Sequence, residues 1–112
     1  MATLANKRCV PCDGGTPRLK GKALKKIAAQ LRGGWKLKKS QRIEKEFKFK
    51  NFLQALKFTN AIGKIAERQN HHPDIQLSWG LVKVEIWTHK VNGLTESDFV
   101  LAARIDRAPG AS

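Results

Sequence analysis

Between Trp35 and Thr88 the spacing of apolar residues changes period twice, and few folds accommodate both changes in so short a span. Trp35 and Leu37 alternate with lysines; Ile43, Lys45, Phe47 and Phe49 then alternate with Glu44, Glu46 and Lys48. A period of two with one apolar face predicts two half-buried strands, joined near Lys39-Ser40-Gln41. From Phe52 the period lengthens. Phe52, Ala55, Leu56, Thr59, Ile62, Gly63, Ile65 and Ala66 fall on one side of a helix that Asn51 can cap and that runs to about Gln69. Asn70 ends this helix, and Pro73 prevents it from restarting. Period two then returns in Ile75 to Trp79 and in Val82, Val84, Ile86 and Thr88, which predicts a second strand pair and makes Trp79 a core residue.

The flanks complete the pattern. From Pro17 a helix is expected, with Leu24, Ile27, Ala28 and Leu31 at i, i+3, i+4 and i+7 and Gly33-Gly34 as its stop. Asn92-Gly93 predicts a turn, and Thr95 with Asp98 resembles a capping box opening a last helix through Leu101, Ala102 and Ile105. Strands paired as hairpins favour an antiparallel sheet whose apolar face must be covered. The expected fold is therefore α+β, in the order α-β-β-α-β-β-α: a four-stranded antiparallel sheet with three helices on one face. A free sheet edge would suit pairing with a second subunit. One domain is expected over residues 17–107, between a polar, turn-rich arm at 1–16 and a tail at 108–112.

Composition excludes several classes. No apolar run approaches the ~20 residues of a membrane span, and Met1 to Val10 lacks the apolar core of a secretory signal. A cytoplasmic protein is expected, with mitochondrion or plastid the alternative if a targeting segment has been removed. Cys9 and Cys12 form a lone Cys-Val-Pro-Cys. No second pair completes a zinc site, and the glycines that follow read as loop rather than as a redox helix start, so the pair is read as incidental. The net charge is +13, with 15 Lys/Arg against 3 acids in residues 1–50 and 7 against 6 in residues 51–112. These cations are spread over a loop, a helix and two strands, and no nucleic-acid motif accompanies them, which favours a solvated basic face.

The chemistry is concentrated elsewhere. His71, His72 and His89 are the only three histidines and lie within 19 residues, with Glu67 before them and Asp98 after. Histidine titrates near neutrality, so a cluster of this kind suits proton transfer. His71 and His72 follow a helix end in a loop, where side chains can be aimed into a cleft. No phosphate-binding glycine loop and no serine elbow is present. A three-histidine metal site is disfavoured, because adjacent histidines point apart and the helical His-x-x-x-His spacing is missing. Metal-free general acid–base catalysis remains, with Glu67 or Asp98 as orienting carboxylates.

The spacing Glu67, three residues, His71-His72-Pro73, five residues, Trp79, nine residues, His89, eight residues, Asp98 resembles the signature of the pterin-4a-carbinolamine dehydratases. The flanks agree: Phe47-x-Phe49-x-x-Phe52 with Ala55, Ile65-Ala66-Glu67, Trp79-Gly80-x-Val82, and Gly93-Leu94-Thr95 through Asp98 to Ile105-Asp106. The resemblance covers residues 35–106, and the Cys9–Cys12 arm is similar to the plant-like branch. It implies dehydration of a 4a-hydroxytetrahydropterin to quinonoid dihydropterin, without metal or organic cofactor, in tetrahydropterin recycling behind an aromatic amino acid hydroxylase. It implies His71 and His89 as principal acid–base residues and His72 as a second donor or pterin contact. Glu67 and Asp98 would orient imidazoles or bind the pterin, with Pro73, Trp87 and Thr88 shaping the slot. Asn70 and Trp87 depart from the family's usual acidic and smaller residues there. Homodimers or homotetramers are implied as well. Two other readings compete: a non-catalytic pterin-binding or oligomerisation partner, and, more weakly, a basic nucleic-acid binder.

Overall fold

The computed structural model describes residues 18–31 and 33–111; the arm at 1–16, with Cys9 and Cys12, and Pro17 lie outside the described residues. Three helices and four strands follow in the order α1 (Gly21–Ala28), β1 (Lys36–Lys38), β2 (Arg42–Lys48), α2 (Phe52–Gln69), β3 (Asp74–Ser78), β4 (Leu81–Ile86) and α3 (Glu96–Asp106). The sheet is antiparallel throughout, with strand order β1-β2-β4-β3. This is the expected α+β architecture.

Register explains the core. Ile43, Lys45 and Phe47 of β2 pair with Ile86, Val84 and Val82 of β4, and Val84 and Val82 pair in turn with Ile75 and Leu77 of β3. All these side chains share the face that the helices cover. Ala55, Phe58, Ile62 and Ala66 supply the buried side of α2. Phe58, which period counting passed over, lies at the centre, with its ring centroid 4.6 Å from that of Phe47 and 5.2 Å from that of Phe49. Burying one such side chain contributes about 3 kcal/mol.

Punctuation behaves as expected at α2. The Asn51 side chain accepts the Gln54 backbone N–H at 2.9 Å. At the other end Asn70 takes the left-handed conformation at φ 50°. Three expectations need correction. The first helix starts at Gly21, because the Leu19 N–H donates to the Leu94 carbonyl at 2.7 Å before it, and ends at Ala28, short of Gly33-Gly34, where Gln30 and Leu31 donate three residues back in tighter turns. Phe52 is 45% exposed rather than buried, and its neighbour Leu53 is exposed too, so the buried side of α2 begins at Ala55. Trp79 is 69% exposed rather than core, because it occupies the two-residue tip of the β3–β4 hairpin. Its neighbour Gly80 accepts the Phe49 N–H there, and a Cβ on Gly80 would come within 2.9 Å of the Phe49 carbonyl oxygen.

The inner face carries one charge. Lys45 points inward between Ile43 and Phe47, and its Nζ reaches Asp106 Oδ1 at 2.8 Å. The Trp35 indole N–H donates to the other oxygen, also at 2.8 Å. Asp106 therefore ties β2 and the residue before β1 to the end of α3. The segment after α3 packs back, with Ala108 buried and Ala111 against the core. The outer face of the sheet is polar: Glu44 lies 3.4 Å from Lys38 and 3.5 Å from Lys83, and Arg42 lies 3.2 Å from Glu85.

Two predictions follow from these charges. Lys45→Ala removes a largely buried ion pair with Asp106 and should cost about 2–3 kcal/mol, read as a lower urea midpoint. Burial raises the pKa of Glu44, but the hydrogen bonds and charges of Lys38 and Lys83 outweigh it and hold the carboxyl below its ordinary value. A depressed folded-state pKa stabilises the fold above the unfolded carboxylate pKa, and that contribution is lost as pH falls through the folded value. Urea midpoints measured from about pH 6 to about pH 3 should therefore fall less steeply for Glu44→Gln than for the wild type.

Candidate active site

Two backbone devices bring the site together. After α2, left-handed Asn70 reverses the chain, and the His71 N–H returns to the Ala66 carbonyl at 3.2 Å. Asparagine tolerates this conformation better than most residues. After β4, Thr88 and Gly93 exchange backbone hydrogen bonds of 2.8 and 3.3 Å, closing a loop that contains a 3-10 turn at His89–Val91. That closure sets Thr88 beside the start of α3.

Asp98 lies where the two devices meet, with 0% exposure. One carboxylate oxygen is 2.6 Å from His71 Nε2. The other accepts the Thr88 hydroxyl at 2.7 Å and the Thr95 backbone N–H at 2.9 Å. The last bond is the carboxylate half of the capping box expected for α3. The two threonine hydroxyls are themselves 3.1 Å apart. Asp98 is thus a helix cap and a histidine support at once. It has no exposed surface and does not line the neighbouring cleft; its contact with the cleft wall is His71.

With Nε2 facing the Asp98 carboxylate, Nδ1 is the ring nitrogen left for other partners. The His71 side chain is 13% exposed. It opens onto a cleft of about 380 Å³ lined by Asn70, His71, His72, Trp87, Thr88, His89 and Lys90. That volume falls in the range of small-ligand sites. Across the cleft the His89 ring stacks on Trp87, with centroids 4.3 Å apart and planes 26° off parallel. The Arg42 guanidinium covers Trp87 at 4.5 Å, so the indole is held between a cation and an imidazole.

The remaining candidates lie to one side. Glu67 is 3.1 Å from His72 Nε2, and both side chains are exposed. Glu67 and Pro73 line a neighbouring groove along α2 together with His72, not the cleft that holds His71 and His89. His72 borders both. Thr95 was not among the expected site residues, although its capping-box spacing to Asp98 placed it next to one. Among the described residues, no group of three or more His, Cys, Asp or Glu side chains is arranged to hold a metal ion. No described helix is long and apolar enough to cross a membrane.

Comparison with known proteins gives this cleft a family. The pterin 4 alpha carbinolamine dehydratase family matches residues 17–108. The chain belongs to that family. A relative from Alkaliphilus metalliredigens is 51% identical over 96% of this chain and 96% of its own, and one from Rickettsia canadensis is 49% identical over 95% and 97%. Both are named, provisionally, pterin-4-alpha-carbinolamine dehydratases. Among solved structures, a transcriptional coactivator/pterin dehydratase from Brucella melitensis is 30% identical, with a TM-score of 0.75 over 81% of this chain and 97% of that one. A pterin dehydratase-like RuBisCO assembly factor of the alpha-carboxysome shares the fold, at 24% identity and a TM-score of 0.60 over 72% and 95%. Pterin dehydratase relatives thus span this chain almost end to end.

Thr88→Val keeps the shape of the side chain but removes a donor to the Asp98 carboxylate. It should lower stability by about 1–2 kcal/mol in thermal unfolding, with NMR shift changes reaching the His71 imidazole.

Proposed function

We propose that this protein dehydrates a 4a-hydroxytetrahydropterin to quinonoid dihydropterin. The observation that carries the reading is the 2.6 Å contact between His71 and buried Asp98, on the wall of a cleft that also holds His89. The reaction breaks the C4a–O bond and forms the N5=C4a double bond. The N5 lone pair drives the departure, the hydroxyl leaves as water after gaining a proton, and N5 gives up its own. Every step is a proton transfer or a lone-pair shift, so imidazoles suffice.

His71 takes the N5 proton. Its Nδ1 is the ring nitrogen not engaged by Asp98, and the carboxylate stabilises the imidazolium that forms, as a buried aspartate does in a catalytic triad. His89, at the exposed rim, draws its proton from solvent and delivers it to the leaving hydroxyl. The stack on Trp87 fixes the plane of that ring. His72 contacts the pterin or supplies a second proton, and its exposed pair with Glu67 contributes little to the fold. The substrate is what an aromatic amino acid hydroxylase leaves behind, and the product returns to tetrahydropterin recycling. Among the described residues no strand pairs with the outer edge of β3, and that edge supports assembly with a second copy by strand addition.

Stopped-flow dehydration of freshly generated 4a-hydroxytetrahydropterin tests this. His71→Ala and His89→Ala should each lower kcat by about 10²–10³-fold, and Asp98→Asn by about 10²-fold, with circular dichroism unchanged. His72→Ala should cost less than about tenfold. A His71→Ala/His89→Ala protein that dehydrates as fast as wild type would remove the catalytic reading.

A further inference from the structure

α2 carries a glycine in its interior that packing does not explain. Gly63 has helix on both sides of it, where glycine weakens a helix relative to alanine. A Cβ built on Gly63 would meet nothing within 4 Å, so no neighbour demands its absence. The missing side chain instead keeps open a groove of about 810 Å³ between α2 and β3. Exposed Asn60, Lys64 and Arg68 follow at four-residue intervals along it, a ridge of about 12 Å of helix rise. Ala66, Pro73 and Ile75 supply apolar surface below. Among the described residues Glu67 is the only acid that lines the groove, and it faces His72 at 3.1 Å.

Groove and cleft share a wall. His72 lines both, and the groove has more than twice the volume of the cleft, about 810 against about 380 Å³. With the substrate N5 at His71, the next ring atom is C6, so a substituent on C6 leaves the pterin on the side of His71 and His72. We infer that the groove receives this substituent, and that the substrate class is a pterin conjugate whose long tail carries an aromatic ring and then carboxylates, as folates do. The inference rests on the dehydratase reading. The aromatic ring lies on the apolar surface beside Gly63, and Lys64 and Arg68 receive the carboxylates. A short neutral side chain would leave the groove unused. A compact anion would engage Arg68, the cation nearest His72 in sequence, and leave the ridge back to Asn60 without a role.

Calorimetry on the full chain compares three unreactive pterins: 6-methyl-7,8-dihydropterin, the monophosphate of 6-hydroxymethyl-7,8-dihydropterin, and 7,8-dihydrofolate. Dihydrofolate should bind about tenfold or more tightly than the methyl compound at low salt, and about 0.2 M salt should erode that advantage. Lys64→Glu/Arg68→Glu should abolish it by charge, and Gly63→Leu by filling the groove, with circular dichroism and elution volume unchanged. On freshly generated 4a-hydroxytetrahydrofolate both variants should lose about tenfold in kcat/KM, against less than about twofold on the 6-methyl substrate. Equal binding of dihydrofolate and the methyl compound by wild type overturns the inference, as does tighter binding of the phosphate. So does a Gly63→Leu chain that changes elution volume yet keeps the preference for dihydrofolate, because the open space would then serve contact between copies. A chain that prefers dihydrofolate but dehydrates neither substrate overturns the dehydratase reading and leaves the ligand class of the groove standing.

Discussion

A carboxylate with no exposed surface must be satisfied by its neighbours, and the placing of Asp98 governs much of this molecule. Its three donors come from three parts of the chain: the loop after α2, the end of the last sheet strand, and the entry to α3. Each segment is positioned by a local device, namely left-handed Asn70, the Thr88–Gly93 closure and the capping box. The last turn of assembly is therefore shared. The first turn of α3 cannot fray without releasing His71, and displacing His71 leaves a cap residue with an unmatched buried charge. Stability and cleft geometry are two readings of one interaction.

Elsewhere charge is handled by sector. The outer face of the sheet alternates acids with bases, so Glu44, Glu85, Lys38, Lys83 and Arg42 offset one another locally. The inner face admits Lys45 because Asp106 accepts its ammonium, while the Trp35 indole N–H donates to the same carboxylate. An excess of +13 on 112 residues opposes compaction through self-repulsion, which the local pairs on the outer face offset in part.

The order of elements could be read directly from hydrophobic period, because a half-buried strand and a half-buried helix expose opposite faces at different spacings. The Asn51 cap, the Asn70 stop and the Thr95–Asp98 box were equally legible, since each is a local hydrogen-bond pattern with its own spacing. Depth was harder to read. Trp79 is as apolar as a core residue but sits on a two-residue hairpin tip, and Phe58 is central although Ala55, Leu56 and Thr59 satisfy the helical period without it. Period says which side a residue faces, not how much structure lies over that side. The site divided for the same reason. His71, His89, Thr88 and Asp98 converge through tertiary closure, while Glu67 and Pro73, nearer to His71 and His72 in sequence, turn toward an adjacent groove.

The chain has no tyrosine, and its three tryptophans occupy three unlike settings. Trp79 is in water at a hairpin tip, Trp35 donates its N–H to a buried carboxylate, and Trp87 lies between a guanidinium and an imidazole at the mouth of the cleft. Near-ultraviolet emission therefore comes from indole alone, and each indole reports on a different region. One is a solvent reference, one follows the seam between sheet and last helix, and one responds to whatever enters beside His89. Unfolding and ligand entry can be told apart optically in the unlabelled chain.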